Sequence, residues 1–394
     1  MDDGETAPPA AKRRNQKKSA YYIPKELVRE ILVRLPVESL MRFSCVCKAW
    51  GSTISGDASF HRAHLRLQRP LLLVSPQTTA VYGGVHMKKM ILYGWEDNQQ
   101  GTSTPLVHAR VRAPTLSSPF RMHDFAHCDG LVLLGSTEAI VRVINPATRS
   151  VLSLPWGGCG AMQLHQAFGL GQDPRSHAYK VARCFVTGDK HYKTKMKVFT
   201  IGIDHCWRQT MTDPPYPVAA RRTATFFKGS LIWTIHESTL GSPAPGFLRF
   251  RLDKEDFVLM EPPPCYPRLD YAKSALADLR GELCLACGGG DMMTLDMWMC
   301  DNMENPQWDL RYKIDVPPHM PPDFSPIASF GDQIVFKEQY LRTGHYDLKT
   351  KTYKNVLWME DLRCHNPISG KTKYKERHFD NIDVIPFVPS LIPV

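Results

Sequence analysis

The chain has 394 residues, of which 43% are hydrophobic and 22% charged, and its formal net charge is +10. This length accommodates a small domain and a large one. No apolar run approaches the roughly 18 residues that a membrane span requires. Residues 1–70 carry +6, so the remaining 324 residues carry only +4. That near-neutral balance argues against a nucleic-acid-binding surface on the larger part of the chain.

Residues 1–20 are polar and show no apolar period, which predicts a disordered basic tail. The acidic start lacks the apolar segment of a signal peptide. The eleven cysteines are spaced irregularly, as expected of free thiols in a reducing compartment. We therefore expect the protein in the nucleus, the cytoplasm or both. The cluster Lys12-Arg13-Arg14 with Lys17-Lys18 is either a nuclear-import signal or a solvating tail.

Residues 21–69 show helical periodicity. One apolar row has its members four apart, and it predicts an amphipathic helix that begins at Pro24: Ile23, Leu27, Ile31 and Leu35. After Pro36 the pattern restarts at spacings of three, four and three, which predicts a second helix: Leu40, Phe43, Cys47 and Trp50. Asp57 is the predicted N-cap of a third. Three short helices cannot bury so many large apolar groups among themselves, so part of this face is expected to bind a partner.

The string from Pro24 through Leu35-Pro36 to Val46-Cys47-Lys48-x-Trp50 resembles the F-box, the motif that binds the Skp-type adaptor of cullin-based ubiquitin ligases. The resemblance implies that residues 21–69 bind this adaptor and, through it, a cullin scaffold. The residues that it assigns to the adaptor contact are Pro24, Leu27, Ile31, Leu32, Leu35, Pro36, Leu40, Val46 and Trp50. The alternative is a helical hairpin whose apolar stripe packs on the following domain.

From Pro70 onward the helical period gives way to short alternating runs with recurring turns. Glycine corners that lead into strands recur at Gly130, Gly229, Gly281 and Gly331, spaced by 99, 52 and 50 residues. The turn at Asp173-Pro174 before Tyr179 fits the copy missing from the double interval. Asp or Asn turns follow the corners, as in Val143-Ile144-Asn145 and Tyr346-Asp347-Leu348.

A period of about fifty residues with four strands in each unit is typical of kelch-length propeller blades. We therefore predict an α+β multidomain protein: a small three-helix F-box, then an all-β propeller-like domain over residues 70–394 with six or seven blades. The first blade is expected to begin near Leu71, and residues 381–388 are expected to supply a strand that closes the ring. Two packed β-sheets are the competing architecture.

The order of these signals also resembles the F-box-associated domain of plant F-box proteins. The matching elements include Cys128-Asp129-Gly130-Leu131 and Asn145-Pro146-Ala147-Thr148-Arg149. That family binds diverse targets, so the resemblance implies a substrate-binding role without naming the substrate.

Motifs for metal, cofactor or catalytic chemistry are weak. Cys284 and Cys287 have zinc-knuckle spacing, but three residues apart on a strand they point to opposite faces, so we expect two buried core thiols. His61 and His64 lack a third ligand. Gly288-Gly289-Gly290-Asp291 lacks the Lys-Ser/Thr of a phosphate loop. We predict no metal site, no cofactor and no catalytic residue.

The favoured function is a non-enzymatic substrate-recognition subunit of a Skp–cullin–F-box ubiquitin ligase that presents an unknown protein substrate and does not bind a membrane. The alternative is a propeller-type carbohydrate-binding or enzymatic protein whose F-box serves glycoprotein turnover or is degenerate. Polarity and length make three segments candidates for substrate recognition: Gly94–Pro105, Trp156–Leu164 and His236–Gly246.

Overall fold

The computed structural model describes two bodies of secondary structure, a group of helices and a ring of sheets. The described residues are 23–82, 85–90, 92–95, 104–107, 124–135, 141–155, 166–187, 193–219, 222–236, 244–264, 269–271, 273–289, 293–316, 324–338, 342–358, 364–365, 372–373 and 381–394. The predicted basic tail, residues 1–20, lies outside them. In the part of the chain that the structure describes, no helix has the length and apolar character needed to span a membrane.

The described helical region holds four helices, not the three predicted. They are α1 (Lys25–Leu32), α2 (Val37–Phe43), α3 (Lys48–Gly56) and α4 (Ala58–Leu67). The predicted second helix ends at Phe43, and Cys47, four residues later, is fully extended, so α3 begins as a separate helix. A Cβ on Gly51 would lie 2.8 Å from the Ser44 carbonyl oxygen. The glycine thus lets α3 pack directly on the end of α2, so the apolar spacing runs across two helices.

Asp57 caps α4, as predicted. Its carboxylate accepts hydrogen bonds from the backbone amides of Ser59 and Phe60 at 2.8 and 3.1 Å. The hydroxyl of Ser59 and the guanidinium of Arg29 also donate to it, and these bonds hold the pKa of Asp57 well below its usual range. Because Arg29 lies on α1, the same carboxylate ties α1 to α4 at 2.6 Å.

The β region contains one strand group after another, each an antiparallel sheet. The first group is β1 (Leu71–Tyr82), β2 (Val85–Met90), β3 (Leu92–Trp95) and β4 (Thr104–Val107). The second is β5 (Ala126–Cys128), β6 (Leu131–Leu134), β7 (Arg142–Asn145) and β8 (Ser150–Ser153). The third is β9 (Gln166–Gln172), β10 (Tyr179–Thr187), β11 (Lys193–Thr200) and β12 (Arg208–Gln209).

The remaining strands repeat this arrangement. The fourth group is β13 (Thr225–Phe227), β14 (Ser230–Thr234), β15 (Phe247–Arg251) and β16 (Asp256–Met260). The fifth is β17 (Ala275–Leu279), β18 (Glu282–Gly288), β19 (Thr294–Cys300) and β20 (Asp309–Asp315). The sixth is β21 (Phe324–Phe330), β22 (Gln333–Glu338), β23 (Arg342–Asp347) and β24 (Thr352–Trp358). Last come the short pair β25 (Cys364–His365) and β26 (Thr372–Lys373), and then β27 (Asn381–Phe387).

These groups form a six-bladed β-propeller in the described part of the chain, within the predicted six or seven blades. The innermost strands contact one another in a closed ring, β5 to β9, β13, β17, β21, β27 and back to β5. Blade one takes its innermost strand from the other end of the chain, because β27 pairs antiparallel with β1. The predicted closing strand is confirmed. Two packed sheets, the competing architecture, are excluded by the ring.

The core lies in layers between neighbouring blades, where each sheet packs on the next. The face of β18 that holds Cys284 packs toward blade six, and the face that holds Cys287 packs toward blade four. Both thiols are buried. The prediction of two core cysteines on opposite faces is confirmed.

The predicted glycine corners are the turns from the first to the second strand of blades two, four, five and six. Gly130, Gly229, Gly281 and Gly331 all have φ between 54° and 83°, the left-handed region that glycine adopts without steric cost. In blade three the equivalent turn spans residues 173–178 and has no glycine. The carboxylate of Asp173 accepts hydrogen bonds there from the Arg175 and Ser176 amides. The 99-residue spacing between Gly130 and Gly229 is therefore two repeats, with the blade-three turn between them.

The ring has two ends, and the helices lie at one of them. Helix α4 leads through residues 68–70 into the start of β1, at the end where first strands turn into second strands and third into fourth. We call this end the helix side. Ala147, in the turn between β7 and β8, packs against the helical core there. We call the opposite end the far side.

Candidate functional site: an exposed apolar surface on the helices

One face of α1 leaves large aliphatic side chains uncovered. Ile23, Leu27 and Ile31 are 53%, 54% and 53% exposed, and they form a single row at four-residue spacing. A row of this kind on one helix is typical of a protein contact surface, because each side chain gains by leaving water. Pro24 is also exposed at the start of the row, where it occupies the N-cap position.

The apolar exposure continues around the break between α2 and α3. Val46 is 61% exposed in the turn, and Met41 and Phe43 project from the end of α2. The Phe43 ring lies 5.8 Å from the half-buried Trp50 ring, in a tilted arrangement. The break between α2 and α3 therefore produces a second exposed apolar patch. We call these exposed side chains on α1, α2 and the α2–α3 turn the apolar docking surface.

The nine residues predicted to bind the adaptor divide into three groups in the structure. Pro24, Leu27, Ile31, Pro36 and Val46 are exposed. Leu35 and Trp50 are half-buried and border the helical core. Leu32 and Leu40 are only 2% and 0% exposed. Leu32 and Leu40 are inaccessible to a partner in this structure, so the docking surface does not include them. The binding role of the other seven residues stays a prediction.

Leu32 and Leu40 belong to the core that holds the four helices together. Their buried partners are Val33, Val37, Ile54, Phe60 and Leu391. The Nε2 atoms of His64 and His61 lie 2.9 and 2.7 Å from the carbonyl oxygens of Leu35 and Ile54, residues that follow α1 or lie in α3. Burial lowers the pKa of His64 below its usual value, so this ring is held neutral.

Ile23, Met41 and Phe43 are exposed apolar residues that sequence reasoning did not assign to the site. Ile23 lies in the same four-residue row as Leu27, and that spacing was available in the sequence. Phe43 belongs to the F-box string and to the second apolar row, but it was not among the residues assigned to the adaptor contact. Its exposure depends on the break after α2, which the periodicity does not show.

The propeller has an axial cavity of about 540 Å³ lined by its innermost strands. Lys337 lies 3.3 Å from Asp383 and 3.8 Å from Asp124, which joins blade six to blades one and two. Burial would lower the pKa of Lys337, but the two carboxylates outweigh it and raise that pKa. Burial lowers the pKa of His127 to about 4. Among the described residues, no group of three or more metal-ligating side chains comes together.

Comparison with known proteins agrees with this architecture. Residues 22–62 match the model of the F-box domain, and residues 86–378 match that of the F-box associated beta propeller domain. The chain belongs to the F-box proteins with an F-box-associated β-propeller. Its relatives include the putative F-box protein At3g21120 of Arabidopsis thaliana, 24% identical over 74% of this chain and 80% of the relative.

Two further relatives from Arabidopsis thaliana carry similar names. The putative F-box protein At4g38870 is 25% identical over 73% of this chain and 67% of its own length. The F-box/kelch-repeat protein At3g23880 is 25% identical over 68% of this chain and 73% of its own length. The predicted resemblance to plant F-box proteins is confirmed.

Two of the three candidate recognition segments of this F-box protein are flanked by described strands. Trp156–Leu164 lies wholly outside the described residues, and the central parts of Gly94–Pro105 and His236–Gly246 do as well. The strands that flank the last of these, β14 and β15, meet at the far side. Strands β3 and β4 flank Gly94–Pro105 and meet at the helix side. The strands that flank these two segments therefore meet at opposite ends of the propeller, although polarity and length made both segments candidates.

Proposed function

We propose that this F-box protein is the substrate-recognition subunit of a Skp–cullin–F-box ubiquitin ligase. The observation that carries the proposal is the apolar docking surface, which stays uncovered while the opposite, buried row of the same helices packs into the chain's own core. A helix face of this kind suits an apolar groove in a partner. The Skp-type adaptor is the partner that the F-box domain implies.

The receptor works by proximity and contributes no catalytic group. Adaptor and cullin scaffold hold the helices, while the propeller holds a protein substrate. Binding both raises the effective concentration of a substrate lysine near a ubiquitin-charged enzyme. The substrate itself is a protein of unknown identity.

Charged substitutions on the docking surface test this role. We expect Ile31→Asp and Val46→Asp to weaken co-purification with the adaptor at least about tenfold, since a carboxylate would be desolvated in an apolar contact. Ile203→Asp is the matched control, because Ile203 is 65% exposed in a turn of the propeller. Full binding by folded Ile31→Asp and Val46→Asp proteins would contradict the proposal.

The remaining sequence-based hypotheses have direct tests. Fusion of residues 1–20 to a fluorescent protein tests the nuclear-import signal, and uniform cytosolic signal would argue against it. A glycan array and a metal analysis of the purified protein test the carbohydrate-binding or enzymatic alternative.

A further inference from the structure

The segment that follows β27 lies between the helices and the propeller. We call residues 388–394 the clamp segment. It leaves the ring at the helix side, where Leu391 is 5% exposed and packs into the helical core with Leu32, Leu40 and Phe60. A residue from the end of the chain thus completes the core of the helices near its beginning.

The neighbours of Leu391 are held by the propeller instead. Ile392 is 5% exposed and packs into the layer between blades two and three. Successive side chains of an extended segment point to opposite sides, which allows Leu391 and Ile392 to enter two different cores. Gly130 has no side chain where the clamp segment passes, and a Cβ there would collide with the Val388 carbonyl and the Ser390 side chain.

A buried asparagine holds the backbone of the clamp segment. The Nδ2 of Asn145 donates to the carbonyl oxygens of Ser390 and Ile392 at 3.1 and 2.8 Å, and the side chain is fully buried. Its Oδ1 accepts from the amides of Ala147 and Thr148, which caps the turn between β7 and β8. One side chain therefore forms a turn of blade two and clamps the segment to it.

The equivalent turn of blade five shows that the turn itself does not need these extra bonds. Asn302 caps it through Oδ1, which accepts from the amides of Glu304 and Asn305 at 2.9 and 3.3 Å. In blade six, Asp347 caps the same turn, and its carboxylate has no N–H to donate. The amide donors of Asn145 thus serve the clamp segment.

We propose that the clamp segment is a positioning element that sets the orientation of the docking surface relative to the propeller. Leu391 anchors it in the helices, and Asn145 with Ile392 anchors it in blades two and three. The direct chain connection, residues 68–70, is a short coil after α4. Ala147 adds a small direct contact between blade two and the helical core. The proposal rests on the proposed receptor function, because only a receptor needs the adaptor and the substrate held at a constant angle.

Two substitutions and one matched control test the clamp. Asn145→Asp keeps an oxygen for the Ala147 and Thr148 amides but turns a carboxylate oxygen toward the two carbonyls of the clamp segment. Leu391→Ala removes the contact of the clamp segment with the helical core and changes no residue of a propeller strand. Asn302→Asp makes the same chemical change in the blade-five turn, away from the clamp segment.

The measurements use the full chain in complex with the adaptor, in three assays. Thermal unfolding and small-angle scattering report whether the two bodies move as one. Reconstituted ubiquitin transfer, with the modified lysines of the receptor's own propeller mapped by mass spectrometry, reports the angle during function. We expect the wild type and Asn302→Asp to show one transition, one compact scattering profile and a restricted set of modified lysines.

We expect Asn145→Asp and Leu391→Ala to split the transition, to enlarge the scattering envelope and to spread modification over more lysines, with adaptor binding retained. The same transition, scattering and lysines as Asn302→Asp would overturn the proposal. So would a common fall in melting temperature with unchanged scattering, since that is stabilisation without positioning. Should Asn145→Asp unfold blade two, Leu391→Ala decides alone. If even the wild type fails to bind the adaptor, the receptor function is wrong, and unfolding and scattering of the free chain still test the clamp.

Discussion

Val74 pairs with Val384 across the antiparallel ladder that joins β1 to β27, and both side chains are buried. The first strand of the propeller in sequence is thereby hydrogen-bonded to the last. Lys337 of blade six reaches Asp383, the neighbour of Val384, across the same junction. The ring is therefore closed by non-covalent strand pairing at one blade.

Val384→Asp is expected to open the ring. A carboxylate buried without a partner, next to Asp383, should lower the free energy of unfolding by at least about 3 kcal/mol. Urea unfolding followed by tryptophan fluorescence measures the loss. Val151→Asp is the matched control, because Val151 is 54% exposed on the edge strand β8 and its change should stay within about 0.5 kcal/mol. Equal stability of the two variants would show that closure contributes little.

Truncation of Leu32 should lower stability, whereas truncation of Leu27 should lower adaptor binding, although both residues belong to the F-box string. Leu32→Ala leaves a cavity in the helical core and should cost about 2–5 kcal/mol, measured by the helical signal in circular dichroism during unfolding. Leu27→Ala removes an exposed side chain and should change stability by less than about 0.5 kcal/mol, yet weaken adaptor binding. Leu32→Asp is expected to prevent binding by unfolding the helices. A Leu32→Ala protein as stable as the wild type would contradict the core position of Leu32.

Lys180 is expected to carry much of the contact between blades three and four. Its ammonium lies 2.9 Å from both Asp173 and Glu255, with side chains that are 9%, 7% and 19% exposed. Lys180→Met leaves the two acids without this cation and should cost about 3–5 kcal/mol. Lys349→Met, which breaks an exposed pair with Asp332, should leave the stability nearly unchanged.

The same pair of acids gives a pH test. Burial would raise the pKa of Asp173, but hydrogen bonds from Lys180 and from the amides of its own turn lower it to about 2. Burial would also raise the pKa of Glu255, but Arg208 and Lys180 outweigh it and lower that pKa. Since the unfolded chain binds these protons near pH 4, stability is lost as the pH falls below about 5. Lys180→Met should lose less on acidification than the wild type; an equal loss would assign the pH dependence to other acids.

His64 predicts a second pH effect, confined to the helices. Burial and the nearby His61 lower its pKa, while its Nε2 bond to Leu35 favours the charged form, and its Nδ1 has no partner in the described structure. The unfolded chain therefore takes up a proton below about pH 6.5 that the folded ring resists. Helical stability should fall by up to about 1.4 kcal/mol per pH unit there.

His64→Gln is the variant that checks this assignment, because a glutamine amide can still donate to the Leu35 carbonyl but does not titrate. Thermal melts of the helical signal at pH 7.5 and 5.5 should differ less in His64→Gln than in the wild type. The exposed His177 supplies the control His177→Gln, which should melt as the wild type does at both values.

The sequence predicted several features that depend on local spacing. The four-residue row of α1, the cap at Asp57 and the glycine corners involve residues within one turn of each other, so their geometry follows from backbone preference and period. The closing strand was predictable as well, since a ring of four-stranded units leaves an edge for a later strand to pair with.

Contacts between distant residues decided the rest. Ile31 and Leu32 are adjacent, equally apolar and both part of the F-box string, but Leu391 helps to cover Leu32 and leaves Ile31 in water. The count of six blades and the clamp at Asn145 likewise depend on contacts between residues far apart in the sequence. The spacing of apolar residues shows that a side chain lies on an apolar face of its helix. Only the tertiary structure shows whether the chain itself or a partner covers that face.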